Sequence, residues 1–247
     1  MHQHQTIPDI RDHFITELNV ENFTVDRLGD KTIELIGASF LADEPAIFGE
    51  PNQEYINREI DWYMRMSTNI HDIYDNQRPP PKAWKYAADP HGNINSNYGK
   101  LIFDDKFHHQ YSMVVNELES NPDSRRACMV YNRPSIWTEY DEGGKDDFIC
   151  TNAVTYYLRD RVNPSEEEYN ITYLDCVVQM RSNDVVFGYR NDWAWQQYVL
   201  AEVAADLGEF VVPGETIWQV QNLHVYEKHF DLVDNENFME LENISYG

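Results

Sequence analysis

The chain has 247 residues, 42% apolar and 13% aromatic, enough for a sizeable core, and carries 43 acidic against 19 basic residues for a formal net charge of −24. That balance excludes a duplex-binding surface, which needs the opposite sign, so any phosphate-bearing ligand has to be held by a local cluster of arginines. No apolar run is long enough to span a bilayer, and MHQHQTIPDIRDHF lacks the basic-then-apolar pattern of a leader, so a cytoplasmic protein without membrane or direct nucleic-acid contacts is expected.

In chain order, PDIRDHFITEL has one apolar face and predicts a short helix. KTIELIGASFL (31–41) predicts a strand, with its glycine marking a bend or bulge. Residues 52–74 carry Tyr55, Ile56, Ile60, Trp62 and Tyr63 at helical spacing, and DNQRPPPKAW breaks that helix. A second helix is predicted over 104–124, with Phe107, Tyr111, Val114, Val115 and Leu118 on one side and NPDS as its end. Strands are predicted at about 127–133, 149–158 and 172–181, with the acidic segment 162–170 as a loop between two of them. NDWAWQQYVLAEVAADLGEF (191–210) predicts an apolar helix stopped by Gly208, and 217–230 a strand with a polar end. The sum is one α+β domain over 1–247, a mostly β core flanked by a few helices.

Cys128, Cys150 and Cys176 are odd in number and form no CxxC pair, which argues against a disulfide framework and against a metal site. Cys150 opens an apolar strand and reads as a thiolate nucleophile or as a buried structural thiol. Arg125 and Arg126 stand side by side before a strand, suited to an anion or to surface ion pairs. Glu59 has large apolar neighbours, as in a pocket carboxylate with a raised pKa, or is an exposed helix glutamate. His224 and Tyr226 alternate in LHVY and so share a strand face, where two polar tips could hold a sugar hydroxyl.

The segments DRLGDKT, REIDWY, SNYGK, NPDSRR, a strand-borne cysteine, RSNDVVFG and LHVY occur in that order between about residues 26 and 230. Together they resemble the thymidylate synthase superfamily. Within it, VDRLGDKTIELIGASFLADEP, INSNYG, NPDSRR and RSNDVVFGYRND are similar to the deoxycytidylate-hydroxymethylating branch of T-even phages. Ile149-Cys150-Thr151 departs from the Pro-Cys-His of thymidylate synthases, which points to the same branch.

The resemblance implies a thymidylate synthase-like fold, a mixed sheet packed with helices, and a homodimer with one sheet face at the interface. It implies conversion of dCMP, methylenetetrahydrofolate and water into 5-hydroxymethyl-dCMP and tetrahydrofolate, for modified phage DNA. Carried over by position, Cys150 is the nucleophile, and Glu59 and Tyr98 are the proton-transfer residues. Arg27, Arg181 and Ser182 bind the phosphate, joined by Arg125 and Arg126 from across the dimer. His224 and Tyr226 bind the deoxyribose, Asp184 the pterin, and Trp84 with Glu59 also lies on the folate side, although the second tryptophan of that segment is Ala87 here. Thr155 stands where a glutamine is usual and is given no role. Asp192 replaces an asparagine and is suited to accept from cytosine's amino group, with a helix N-cap as its other reading. The alternatives are a dUMP hydroxymethylase or thymidylate synthase, a CMP hydroxymethylase, and an inactive relative serving as an interaction partner.

Overall fold

The computed structural model describes residues 4–161 and 171–234; the loop predicted at 162–170 and most of the acidic C-terminus lie outside the described residues. In chain order the elements are α1 (Ile7–Asn19), β1 (Thr24–Val25), β2 (Lys31–Leu41), α2 (Gln53–Met64), α3 (Lys82–Ala87), α4 (Tyr98–Phe103) and α5 (Gln110–Ser120). They continue with β3 (Cys128–Val130), α6 (Ile136–Glu139), β4 (Thr151–Arg161), β5 (Ile171–Met180), β6 (Asn183–Asp184), α7 (Phe187–Leu207) and β7 (Val211–Tyr226). This is an α+β architecture whose described residues form two compact units. Among the described residues, no helix is long and apolar enough to cross a membrane.

The first unit comprises residues up to Pro51, Met180–Gln197 and the residues from Glu215 on. Helix α1 starts where Thr6 and Asp9 cap each other reciprocally and Pro8 presets the first turn, and it buries Ile7, Ile10, Phe14 and Ile15. Strand β2 pairs antiparallel with β1 on one side and with β7 on the other, from Thr32↔Tyr226 to Leu41↔Ile217. Gly37, at φ 75, interrupts that ladder without shifting its register, so it is a bend and inserts no extra residue. The core rings interlock, with Phe40 against Tyr189 at 6.0 Å and Tyr189 edge-on to Trp218 at 5.4 Å. Each such ring removes ~150–250 Å² from water, worth roughly 4–6 kcal/mol before the entropy of ordering it.

The second unit comprises Asn52–Gln179 and Tyr198–Gly214. Its strands run β5-β4-β3, with Cys128↔Thr155 opening the antiparallel β3–β4 register. Helices α2 and α4 approach closely because position 99 is glycine: a Cβ there would lie 2.0 Å from the Tyr63 carbonyl oxygen. Tyr98 then stacks on Tyr63 (5.4 Å) and meets Tyr131 edge-on (5.2 Å).

Three predicted helices have different bounds in the structure, each for a local reason. The run 52–74 stops at Met64, because Met66 turns left-handed at φ 54; Asn69, accepting from His71 N, then starts a separate 3-10 turn. The segment read only as a breaker holds the short α3. The run 104–124 begins with a 3-10 turn, and two left-handed histidines, His108 and His109, delay α5 until Gln110. The last helix starts at Phe187, four residues before its predicted start, because Asp184 supplies the cap.

Candidate active site

In the second unit, Glu59 lies on α2, 5% exposed. Four residues earlier on the same helix, the Tyr55 hydroxyl donates to Glu59 Oε1. From α3 the Trp84 indole N–H reaches the same oxygen at 2.9 Å, and Tyr55 Oη at 2.9 Å. Burial drives the Glu59 carboxyl up to about 6, against the two donated bonds, which pull it down. Burial also pushes the Tyr55 phenol well above its ordinary range, with the Glu59 charge adding to the effect. Both donors meet Oε1, while Oε2 takes no donor among the described residues. The result is a desolvated carboxylate with both of these donors on one of its oxygens.

Tyr98 opens α4 and is buried, and its helix is set by Asn97, which caps Lys100 N and donates to the carbonyls of Trp62 (3.2 Å) and Ser67 (2.7 Å). Cys150 precedes β4, is half-buried, and its Sγ lies 3.8 Å from the Phe148 carbonyl oxygen. The stretch leading to it is tied to the SNYGK segment through Asp147. That buried carboxylate accepts from Ser96 N at 2.8 Å and from Ser96 Oγ and Asn95 N at 2.5 Å. One side chain thus fixes the approaches to both Cys150 and Tyr98, and burial raises its own pKa.

Arg125 and Arg126 are exposed at the end of the NPDS turn, which buried Ser124 shapes by donating to Glu117 at 2.6 Å. Arg126 pairs with Glu117 at 3.0 Å while its side chain stays 77% exposed. An exposed pair of this kind is weakly held and screened by solvent. Arg125 has no side-chain partner among the described residues.

In the first unit, the segment Arg181–Val185 is strapped in parallel onto β7. Asn183 and Asp184 pair with Leu223 and His224; Asn222 N donates to Arg181 O (3.2 Å) and Val185 N to His224 O (2.9 Å). Asp184 caps α7: Oδ2 accepts from Phe187 N (2.8 Å) and Gly188 N (3.2 Å), and Oδ1 from Val186 N (3.2 Å). Three bonds leave room on the carboxylate for one further donor, since it has about four acceptor positions. His224 and Tyr226 share one face of β7 with ring centroids 4.9 Å apart. Burial lowers the His224 pKa and favours the neutral ring, which Asp184 partly opposes; His224 Nδ1 lies 3.1 Å from Asn222 Oδ1. Arg27 is exposed on a β1–β2 turn, whose Asp26 accepts from Leu28 N (2.8 Å) and Asp30 N (2.9 Å). Arg181 and Ser182 are half-buried at the start of the strap.

Asp192 is the sixth residue of α7, which excludes the N-cap reading: Asp184 holds that role. Asp192 Oδ2 accepts from Asn183 Nδ2 at 2.8 Å, and Asn183 Oδ1 accepts from Trp218 Nε1 at 3.2 Å. The Trp84 indole N–H is turned to Glu59 and Tyr55, and its ring packs T-shaped against Trp62 at 5.1 Å. Sequence inspection missed Tyr55, Asp147, Asn183 and Trp218. Only Tyr55 carried a local signal, a tyrosine one helical turn before a glutamate. Among the described residues, no group of three or more His, Cys, Asp or Glu side chains is placed to hold a metal ion.

Deoxycytidylate 5-hydroxymethyltransferases of Enterobacteria phages T4 and T2 are each 47% identical over 235 residues, covering 93% of this chain and 90% of theirs. A thymidylate synthase of Fusobacterium nucleatum is 28% identical over 184 residues, 73% of this chain and 59% of its own. The thymidylate synthase family profile matches residues 50–241. Two units, a desolvated glutamate, a half-buried strand-edge cysteine and this family match agree on one conclusion: the chain belongs to the thymidylate synthase family.

Proposed function

We propose that this chain is a cytoplasmic deoxycytidylate 5-hydroxymethyltransferase, converting dCMP, methylenetetrahydrofolate and water into 5-hydroxymethyl-dCMP and tetrahydrofolate. The observation that carries this is its 47% identity, over 93% of the chain, with phage relatives of that name. The two compact units act as one catalytic domain, which the span of the family match supports.

Cytosine carbon 5 is a weak nucleophile, and addition of the Cys150 thiolate to carbon 6 makes it enamine-like. Methylenetetrahydrofolate supplies the carbon unit at the oxidation level of formaldehyde. Tyr98 serves the removal of the carbon 5 proton. Glu59, through Oε2, holds the water that becomes the product hydroxyl, and Cys150 is then expelled. Asp192 accepts from cytosine's exocyclic amino group and stabilises the protonated ring nitrogen. The fourth acceptor position of Asp184 suits a pterin N–H, and Trp84 offers its ring face. Arg27, Arg181 and Ser182 hold the phosphate, and His224 and Tyr226 the deoxyribose. In a homodimer, Arg125 and Arg126 reach the phosphate on the other protomer, which fits their exposure.

The test is incubation with dCMP or dUMP plus methylenetetrahydrofolate, with mass analysis of the nucleotide and absorbance for dihydrofolate. dCMP should gain one CH₂O with no dihydrofolate formed. Faster turnover of dUMP, or dihydrofolate formation, overturns the assignment.

A further inference from the structure

The two side chains assigned to cytosine carbons 6 and 5, Cys150 and Tyr98, come from stretches far apart in the chain. One buried carboxylate joins those stretches. Asp147 Oδ2 accepts the backbone N–H groups of both Asn95 (2.5 Å) and Ser96 (2.8 Å), and Oδ1 accepts from Ser96 Oγ (2.5 Å). The Asn95 side chain returns the contact, donating to the carbonyls of Asp147 (3.1 Å) and Glu139 (2.9 Å). Asp147 is 6% exposed and Ser96 5%, so breaking these bonds would strand polar groups away from water. The links from this junction to the reactive side chains are firmly held too. Between Asp147 and Cys150, Ile149 is fully buried. Between Ser96 and Tyr98, Asn97 is fully buried and bonded to the carbonyls of Trp62 and Ser67. Next to the junction, Asp146 N donates at 2.9 Å to the carbonyl of Ala87, at the end of the helix that carries Trp84.

We propose that Asp147 is a positioning residue that sets the distance between Cys150 and Tyr98, so that addition at carbon 6 and proton removal at carbon 5 take place on one bound base. This rests on the assignment of those two residues to the reaction. The steps involve neighbouring ring atoms, and a misplacement of about 1 Å between the acting groups costs about a hundredfold in rate. Asp147 acts through its hydrogen bonds, and its charge is dispensable while those bonds remain. Asparagine can supply them: its oxygen takes the two backbone N–H groups, and its –NH₂ meets Ser96 Oγ, a hydroxyl that can turn to accept.

The experiment compares Asp147→Asn, Asp147→Glu and Asp147→Ala with the parent, as full chains, after thermal melts show which variants fold. Three quantities are measured: exchange of the carbon 5 hydrogen with solvent at saturating dCMP, the rate of Cys150 alkylation by iodoacetamide mapped by peptide mass, and dCMP affinity. Exchange needs both side chains on one base, whereas alkylation needs Cys150 alone. Asp147→Ala removes the junction, and Asp147→Glu keeps the charge but lengthens the arm by a methylene. Each should lower exchange about a hundredfold. Alkylation and affinity should stay within about threefold of the parent, and Asp147→Asn should hold exchange within the same range. Exchange that falls only in step with alkylation, or with the folded fraction, makes Asp147 merely structural and overturns the proposal. An asparagine variant as slow as the alanine variant places the effect on charge and overturns it as well. A parent that exchanges no dCMP hydrogen overturns the assignment of the reaction instead. Should Asp147→Ala not fold, the asparagine and glutamate variants decide by the same ratio of exchange to alkylation.

Discussion

Glu59→Gln measures what it takes to keep a charged carboxylate out of water in this protein. Burial lifts the carboxyl from an ordinary 4.5 to about 6. That difference is worth roughly 2 kcal/mol, and its sign is unfavourable above the higher value, because the folded protein holds its proton more tightly than the unfolded chain. Stability conceded to Glu59 therefore grows as pH rises from 4.5 through 6 and is complete near pH 8. Glutamine has the same shape, does not titrate, and offers an oxygen to both Tyr55 and Trp84. The variant should be more stable than the parent at pH 8 by roughly 2 kcal/mol, about 4–8 °C in Tm for a chain of this size. At pH 5 less than half of that gain should remain. Urea and thermal unfolding at pH 8, 6.5 and 5, followed by tryptophan fluorescence, measure it. A glutamine variant no more stable at pH 8, or a gain independent of pH, refutes the account of Glu59 as a desolvated, charged group. The same variant should lose ~10²–10⁴ in hydroxymethyl product formation.

Tyr55→Phe removes a donor that holds the Glu59 pKa down, so the acidic limb of the kcat/KM profile should move to higher pH, with about a tenfold loss at pH 7; an unmoved limb shows that Tyr55 does not position Glu59. Gly99→Ala places a methyl against the Tyr63 carbonyl, forcing α4 from α2, and should cost more than about 3 kcal/mol in a thermal melt. A variant as stable as the parent would mean that the two helices can separate freely. Cys150→Ala should abolish exchange of the dCMP carbon 5 hydrogen with solvent, and retained exchange argues against covalent addition.

The strand cores and the order of elements were legible because β2, β4, β5 and β7 are ten residues or longer and rich in Val, Ile, Thr and aromatic residues, although β7 begins at Val211, six residues before its predicted start, where Pro213 and Gly214 mask it. Short elements were not: α4 is six residues, YGKLIF, and its cap Asn97 works through the carbonyls of Trp62 and Ser67, which no local pattern reveals. The start of α7 was hidden because Gly188 lies in its first turn and its cap, Asp184, reads as a ligand residue. Motif order located the candidate site residues, yet not the shell around them. Tyr55 looks like core, Asp147 like one of many surface acids, and Asn183 like a spacer within RSND, until their partners are known.

The parallel strap of Arg181–Val185 on β7 has a consequence for how such a protein can change. Backbone hydrogen bonds fix the spacing between Asp184, His224 and Tyr226, as marks are fixed on a ruler, independently of what the side chains are. Evolution can then exchange a side chain at any mark without redrawing the scale. A substitution at a mark leaves the spacing as it was, whereas a one-residue insertion beside the strap would displace every mark at once. Lineages with this strap should differ in their substrates by point changes and agree in the length of this segment.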